Sequence, residues 1–291
     1  MMKAPRLIMV VLGVMLMTAA CDLSRSTSEN HVAEGVGALN AGNSSDAVRA
    51  FEAATAADDS NPNAWYYLGY ARSRALSNPN GAIESLQRAT DLDPRRADAP
   101  YELGYALENS GQKDAAITAY QTAVVRDPSL VGANFRLGQL LEETGQYRGA
   151  IDAYTQTIHA DPSFVLAWQQ LGNIYAEFGA TDAAVAVFQN GIENNPDEGE
   201  LRGGLGVTLF EAGRVAESIQ ALEGALEEGH TGTPVTMTLG MAYLQRAELS
   251  GSADDRRKAL EQFSRASRTC NPATDGTRCA VIATQLHNLS Q

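Results

Sequence analysis

Lysine is nearly missing from this chain. Of 22 basic residues only Lys3, Lys113 and Lys258 are lysines, no basic run occurs, and 35 acidic residues leave a formal net charge of −13. A surface of that sign repels phosphate backbones and anionic headgroups, which argues against nucleic acid as a partner. Histidine is scarce too: His31, His159, His230 and His287 are scattered, without the close spacing of a zinc site. His159 precedes a helix-ending phrase and reads as a solvated last-turn residue. Acid pairs such as Asp58-Asp59, Glu142-Glu143 and Glu227-Glu228 are adjacent, and neighbours on a helix do not share a face. Gly203-Gly204 and Gly206 do not follow a strand, so they make no phosphate loop. These absences predict a protein that is not an enzyme, with no catalytic residues, metal, cofactor or small-molecule substrate. One long apolar run exists, the eleven residues Leu7 to Met17, too short for a permanent membrane-crossing helix of about twenty.

That run is flanked by Lys3 and Arg6 before it and by Thr18-Ala19-Ala20-Cys21 after it. The layout is that of a secretory signal with a small-residue cleavage site. Thr18-Ala19-Ala20-Cys21 resembles the bacterial lipoprotein signal, whose cysteine is diacylated (with palmitate-type chains) before cleavage, although an aliphatic residue is usual where Thr18 stands. Ordinary cleavage after Ala20, leaving a bare cysteine, is the other reading. The resemblance implies export and a lipid anchor at Cys21 in the cell envelope, facing the periplasm, with inner and outer membrane both open. Asp22 resembles an inner-membrane retention signal of some lipoproteins. With Cys21 lipidated, Cys270 and Cys279 are left, and in an oxidising compartment they can pair or stay reduced.

Repetition decides the fold class. Pro94, Pro128, Pro162 and Pro196 fall 34 residues apart, each ending a related phrase: DLDP, VRDP, HADP, ENNP. From Trp168 onward stand Trp168, Leu171, Gly172, Tyr175, Ala184, Phe188 and Pro196. Neighbouring copies carry Leu137, Gly138, Leu141, Ala150 and Tyr154, and Leu103, Gly104, Leu107, Ala116 and Tyr120. A further copy, with Trp65, Leu68, Gly69, Ala82 and Leu86, has one inserted residue. Leu205, Gly206 and Leu222 mark another, and Leu239, Gly240, Tyr243, Ala259 and Phe263 mark the last, with about seven extra residues. A degenerate first copy uses Gly35, Ala47, Phe51 and Ala54. This pattern resembles the tetratricopeptide-repeat (TPR) family. The resemblance implies an all-α, right-handed superhelical solenoid of helix-turn-helix repeats. The expected divisions are a signal over 1–20, a flexible lipid-bearing tether over 21–30, about seven repeats over 31–272, and a capping helix over 273–291.

Within each repeat two amphipathic helices, A and B, are predicted, with Gly111 and Gly145 at left-handed helix ends. Glycines inside the A helices, Gly104, Gly138 and Gly172, cost about 1 kcal/mol against alanine. Close approach of the small Ala116, Ala150 and Ala184 is the expected compensation. The terminal helix is expected to turn Val281, Ile282, Leu286 and Leu289 inward.

The resemblance further implies a protein or peptide ligand in a concave groove lined by the A helices. Tyr66, Tyr70, Tyr101, Tyr105, Phe135, Gln139, Gln169 and Asn173 fall there. Tyrosines supply rigid contact area with a polar handle, although an aromatic near the tryptophan position also packs locally. The groove has no lysine, only Arg74, Arg136 and Arg202, which disfavours the lysine-asparagine carboxylate clamp of co-chaperone members. The chain resembles lipoproteins that assist secretin assembly (pilotins) and adaptors that organise murein enzymes. A non-catalytic envelope scaffold is the function so implied; a structural spacer and a regulatory subunit of an envelope enzyme are the alternatives. Oligomeric state is not legible.

Overall fold

The computed structural model describes residues 4–290 except residue 76, with side chains from residue 22 onward. The lipidation expected at Cys21 therefore lies outside the described residues. Among the described residues the chain is fifteen α-helices and one π-helical turn, with no strand. Helix α1 (Ala4–Asn40) is followed by α2 (Ser44–Ala57), α3 (Pro62–Tyr70) with its π-helical extension Ala71–Ala75, and α4 (Pro79–Leu92). Then come α5 (Asp98–Asn109), α6 (Lys113–Arg126), α7 (Val131–Glu143), α8 (Tyr147–Ala160), α9 (Val165–Glu177) and α10 (Thr181–Asn194). The chain ends with α11 (Gly199–Glu211), α12 (Val215–Glu227), α13 (Thr233–Ser250), α14 (Ala253–Thr269) and α15 (Pro272–Ser290). It divides into two compact units, Met1–Gly145 and Gln146–Gln291. Among the described residues no helix is long and apolar enough to cross a membrane.

The turn phrases explain the rhythm. In Asp127-Pro128-Ser129 the Asp127 carboxylate accepts from the Ser129 N–H at 3.0 Å and hydroxyl at 2.6 Å; Asp161 and Ser163 repeat this, as do Asp58 and Ser60. These local bonds end the B helix by offering its chain an alternative to the next helical turn. Between helices of a pair, Gly111 has φ +80 and Gly145 φ +75. Gln112 N–H bonds Leu107 O and Gly111 N–H bonds Glu108 O, each at 2.9 Å, which satisfies two orphan carbonyls of α5 in a Schellman motif.

The glycines inside the A helices face something other than expected. Ala116 and Ala184 are buried, but the atoms pressed on the glycines belong to the residue one turn later. A Cβ on Gly104 would lie 2.7 Å from the Tyr120 ring, and one on Gly172 would lie 2.6 Å from the Phe188 ring. The large side chain fills the notch that the missing side chain opens, burying a whole ring rather than a methyl group.

Three departures from the sequence reading have physical causes. The inserted residue of the second repeat is taken up by the π-helical turn Ala71–Ala75, where one extra residue fits into one turn. The extra residues of the last repeat lengthen α13 to 18 and α14 to 17 residues, tied by an Arg246–Asp255 double hydrogen bond of 2.7 and 2.9 Å. Residues 22–30, expected as a flexible tether, are helical. Ser28 is fully buried, donating to Ala54 O at 2.8 Å and accepting from the Asn61 amide at 2.9 Å. Asn61 in turn caps α3 through Asn63 and Ala64. Serine is common in linkers, but this hydroxyl docks α1 onto the following helices.

Cys270, which caps the end of α14, and Cys279 of α15 are joined by a disulfide with Cα atoms 5.7 Å apart, around a non-helical kink at Asp275. Ile282 is buried, and Leu286 and Leu289 pack beside it against the final helix pair. Val281 is exposed rather than inward: residues 282, 286 and 289 share one stripe, and Val281 sits about 100° away from it.

Two stability outcomes follow. Gly172→Ala lowers the urea unfolding midpoint despite alanine's helix preference, by an equivalent of about 1–3 kcal/mol from overpacking against Phe188. Gly37→Ala, where an added Cβ meets nothing within 4 Å, leaves it unchanged or raises it. At the other end, Ile282→Ala costs about 2–4 kcal/mol, whereas Val281→Ala changes little; equal effects would show that the stripe is misassigned.

Candidate functional site

Residues four apart on a helix share a face, and α3 and α5 use this to gather aromatic rings. Tyr66 and Tyr70 lie one turn apart on α3 with ring centroids 6.2 Å apart. Tyr101 and Tyr105 repeat the arrangement on α5, and all four are half-buried. Arg74, four residues beyond Tyr70 in the π-helical turn, lays its guanidinium 3.3 Å over the Tyr105 ring. Its Nε and Nη2 donate to both oxygens of buried Glu102, at 2.8 and 3.2 Å. Arg96 covers the Tyr66 ring at 4.4 Å and pairs with Asp98 at 2.7 Å.

The result is a preassembled surface of phenol rings and guanidinium planes, with charges matched inside it. Burial, then the Asp98 and Glu102 carboxylates, push the Tyr66 phenol well above its usual range; like any tyrosine it is a neutral hydrogen-bond donor at physiological pH, and the shift extends that state to more alkaline pH. Tyr120, behind Tyr101 at 6.0 Å between centroids, donates to Glu108 at 2.8 Å. Its phenol is likewise pushed up, chiefly by burial and then by Glu108.

The other expected groove residues divide. Phe135 on α7 is buried, only 8% exposed, and belongs to the core. A phenyl ring has no hydroxyl to keep hydrated, so full burial is its lower free energy. Gln139 is half-buried on the same helix. In the second unit, half-buried Gln169 and exposed Asn173 on α9 line a pocket of about 590 Å³, shared with α11, α13 and Arg278 of α15. The three groove arginines are all neutralised: Arg74 by Glu102, Arg136 by Glu108 at 3.4 Å, and Arg202 by Glu228. His159 is exposed. Among the described residues no group of three His, Cys, Asp or Glu could hold a metal ion.

A model of the tetratricopeptide repeat matches residues 32–75, 74–131, 135–197 and 170–232. The chain belongs to the tetratricopeptide-repeat family. Among solved TPR-type structures, MamA is 33% identical, with a TM-score of 0.52 over 56% of this chain and 94% of its own. The C-terminal part of a TPR repeat-containing protein from Cytophaga hutchinsonii gives 0.64 at 17% identity, over 84% of this chain and 98% of its own. YrrB, described as a TPR protein with an unusual peptide-binding site, gives 0.51 at 20% identity over 65% and 93%. The latter two likenesses speak for the fold alone. No curated protein matches the sequence.

TPR proteins bind protein or peptide partners, and the structure gathers the four tyrosines that the sequence placed in a groove onto α3 and α5. Sequence reasoning missed Arg96, Asp98 and Glu102, which complete the cluster. Glu102, the direct neighbour of Tyr101, lies about 100° off the tyrosine face, so counting along that face passes over it, and only its charge match to Arg74 in the neighbouring repeat was a signal.

The raised phenols fix an alkaline response. A group whose folded pKa exceeds its unfolded value stabilises the fold below the unfolded pKa, here 10.0 for tyrosine, and that contribution is lost as pH rises towards the folded pKa. Unfolding at pH 11 should therefore require less urea than at pH 9. Tyr120→Phe should shrink the 295 nm absorbance step that accompanies alkaline unfolding, and a step unchanged in size would rule out a raised Tyr120.

Proposed function

We propose that this TPR protein is a non-catalytic scaffold or assembly factor of the bacterial cell envelope. It is held to a membrane by lipid on Cys21 and captures a protein partner on the tyrosine face of α3 and α5. The observation that carries this reading is the Tyr66–Tyr70–Tyr101–Tyr105 surface with its Arg74–Glu102 brace. Half-buried phenols lose little conformational freedom on binding and keep a hydroxyl to orient the ligand. Peptide binding is described for YrrB; the same mode is inferred here from this chain's own side chains. The two or three acyl chains of a bacterial lipoprotein would anchor stably where one would not. Pilotin-like assistance to a secretin and organisation of murein enzymes are the roles closest to this design.

Crosslinking and co-purification from native membranes should recover a specific partner with wild type and lose it with Tyr70→Ala/Tyr105→Ala. Circular dichroism must first show that the variant keeps its helix content. Fatty-acid labelling should depend on Cys21, and Cys21→Ser should abolish it. An unchanged partner list sinks the tyrosine face, and label retained in Cys21→Ser sinks the anchor.

A further inference from the structure

Residues 22–30 pack instead of trailing, and this decides how the first repeat meets whatever its leading residues are fixed to. Helix α1 runs without a break through position 21 to Asn40. Seven residues past position 21, Ser28 is fully buried, bonded to Ala54 O in the last turn of α2 and to the Asn61 amide that leads into α3. Seven further on, Gly35 receives the Phe51 ring of α2. A spacing of seven returns to the same side of a helix within about 20°. Positions 21, 28 and 35 therefore share one stripe of α1, the stripe packed against α2 and α3.

The helical rise from position 21 to Ser28 is about 10 Å. The turn Asp58-Asp59-Ser60, which joins α2 to α3, lies beside Ser28 through those two bonds, and Trp65 closes over it with its indole N–H on Asp59 O at 2.8 Å. The turn at the other end of α2, Gly42-Asn43, is about 20 Å away along that helix. Leu23, 70% exposed, is the large apolar side chain that α1 leaves in water among the described residues. Charge does not draw this edge to lipid: Asp22, Asp58 and Asp59 are acidic, and Arg25 is paired with Glu29 at 3.4 Å. Approach to a membrane here comes from attachment rather than from attraction.

We propose that α1 is a rigid mount, which holds the α2–α3 turn edge of the first repeat against a lipid bilayer, with Leu23 at the headgroups, and turns the Gly42 edge away. The inference rests on the lipidation of Cys21. Acyl chains attached on the packed stripe leave the helix beneath α2 and α3 rather than on its free side, so they draw that end of the repeat to the surface. A flexible tether would let either edge reach the bilayer; a docked helix admits only one.

The test uses the mature protein, extracted from membranes in detergent and reconstituted into phosphatidylcholine vesicles that carry a nitroxide-headgroup lipid as quencher. A fluorophore is attached to one added thiol, Asp59→Cys at the near edge or Asn43→Cys at the far edge, both exposed positions. The native Cys270–Cys279 disulfide does not take the label. Circular dichroism of each variant must match wild type, and Arg95→Cys, in the corresponding turn one repeat on, replaces Asp59→Cys if that variant misfolds. Quenching with Asp59→Cys should exceed that with Asn43→Cys about threefold or more, given the helix length between them. Twelve Gly and Ser residues inserted after Asp22 span roughly 20 Å on average, which matches that length and should bring the two signals within about 1.5-fold. Equal quenching without the insertion, or stronger quenching with Asn43→Cys, overturns the rigid mount while flotation with the vesicles still supports the anchor. Protein that does not float with the vesicles has no lipid anchor, and that outcome overturns anchor and mount together.

Discussion

The contact on which the solenoid depends is a large B-helix side chain pressed onto a bare glycine of its paired A helix. It recurs as Phe51 on Gly35, Leu86 on Gly69, Tyr120 on Gly104, Phe188 on Gly172, Leu222 on Gly206 and Phe263 on Gly240. All six large residues are fully buried. Each glycine gives up about 1 kcal/mol of helix preference, and a buried ring or leucine returns about 1.5–3 kcal/mol. The exchange is favourable only if the two helices stay in register, so it fixes their separation and rotation together. Because the notch recurs, the repeat can lose its tryptophan, as in the third copy, or its closing proline, as in the sixth, and still form the same helix pair.

With the core so fixed, the solvent-facing positions of the A helices are free to vary, and they vary in a directed way. In the first unit they supply phenol rings braced by arginines; in the second they supply amides, glycine and valine beside unpaired acids. The π-helical turn belongs to this variation. It absorbs an inserted residue without disturbing the Leu86–Gly69 notch, and it is the segment from which Arg74 reaches Tyr105 and Glu102.

The fold was largely legible because its determinants are local and periodic: 34-residue spacing, notch glycines and left-handed turn glycines each mark one element. The site was legible only in part. Tyr66, Tyr70, Tyr101 and Tyr105 follow from counting along a repeat, but Phe135 occupies an equivalent position and is buried, since exposure depends on what neighbouring helices present. Ser28 was unreadable for the same reason. Its partners lie 26 and 33 residues away, and a serine-rich stretch reads as linker until those partners are known. Val281 shows the resolution limit of an amphipathic pattern, one residue and about 100° off the stripe that Ile282 leads.

Net charge illustrates the difference between composition and placement. A value of −13 repels polyanions, but it does not say where a cation would be welcome. Arginine planarity lets Arg74 stack on a ring while gripping a carboxylate with two parallel hydrogen bonds, a task lysine's single ammonium cannot perform. The near absence of lysine is consistent with basic residues being committed to such internal duties, as at Arg136, Arg202 and Arg246. Acids outnumber these partners, so some carboxylates must go unpaired, and the consequence depends on where they fall. On an exposed B-helix surface an unpaired acid faces bulk water and salt, which screen it. Glu177 and Glu211, at the ends of α9 and α11, are exposed in the same way, and Glu200 is half-buried, so solvent screens most of that charge too.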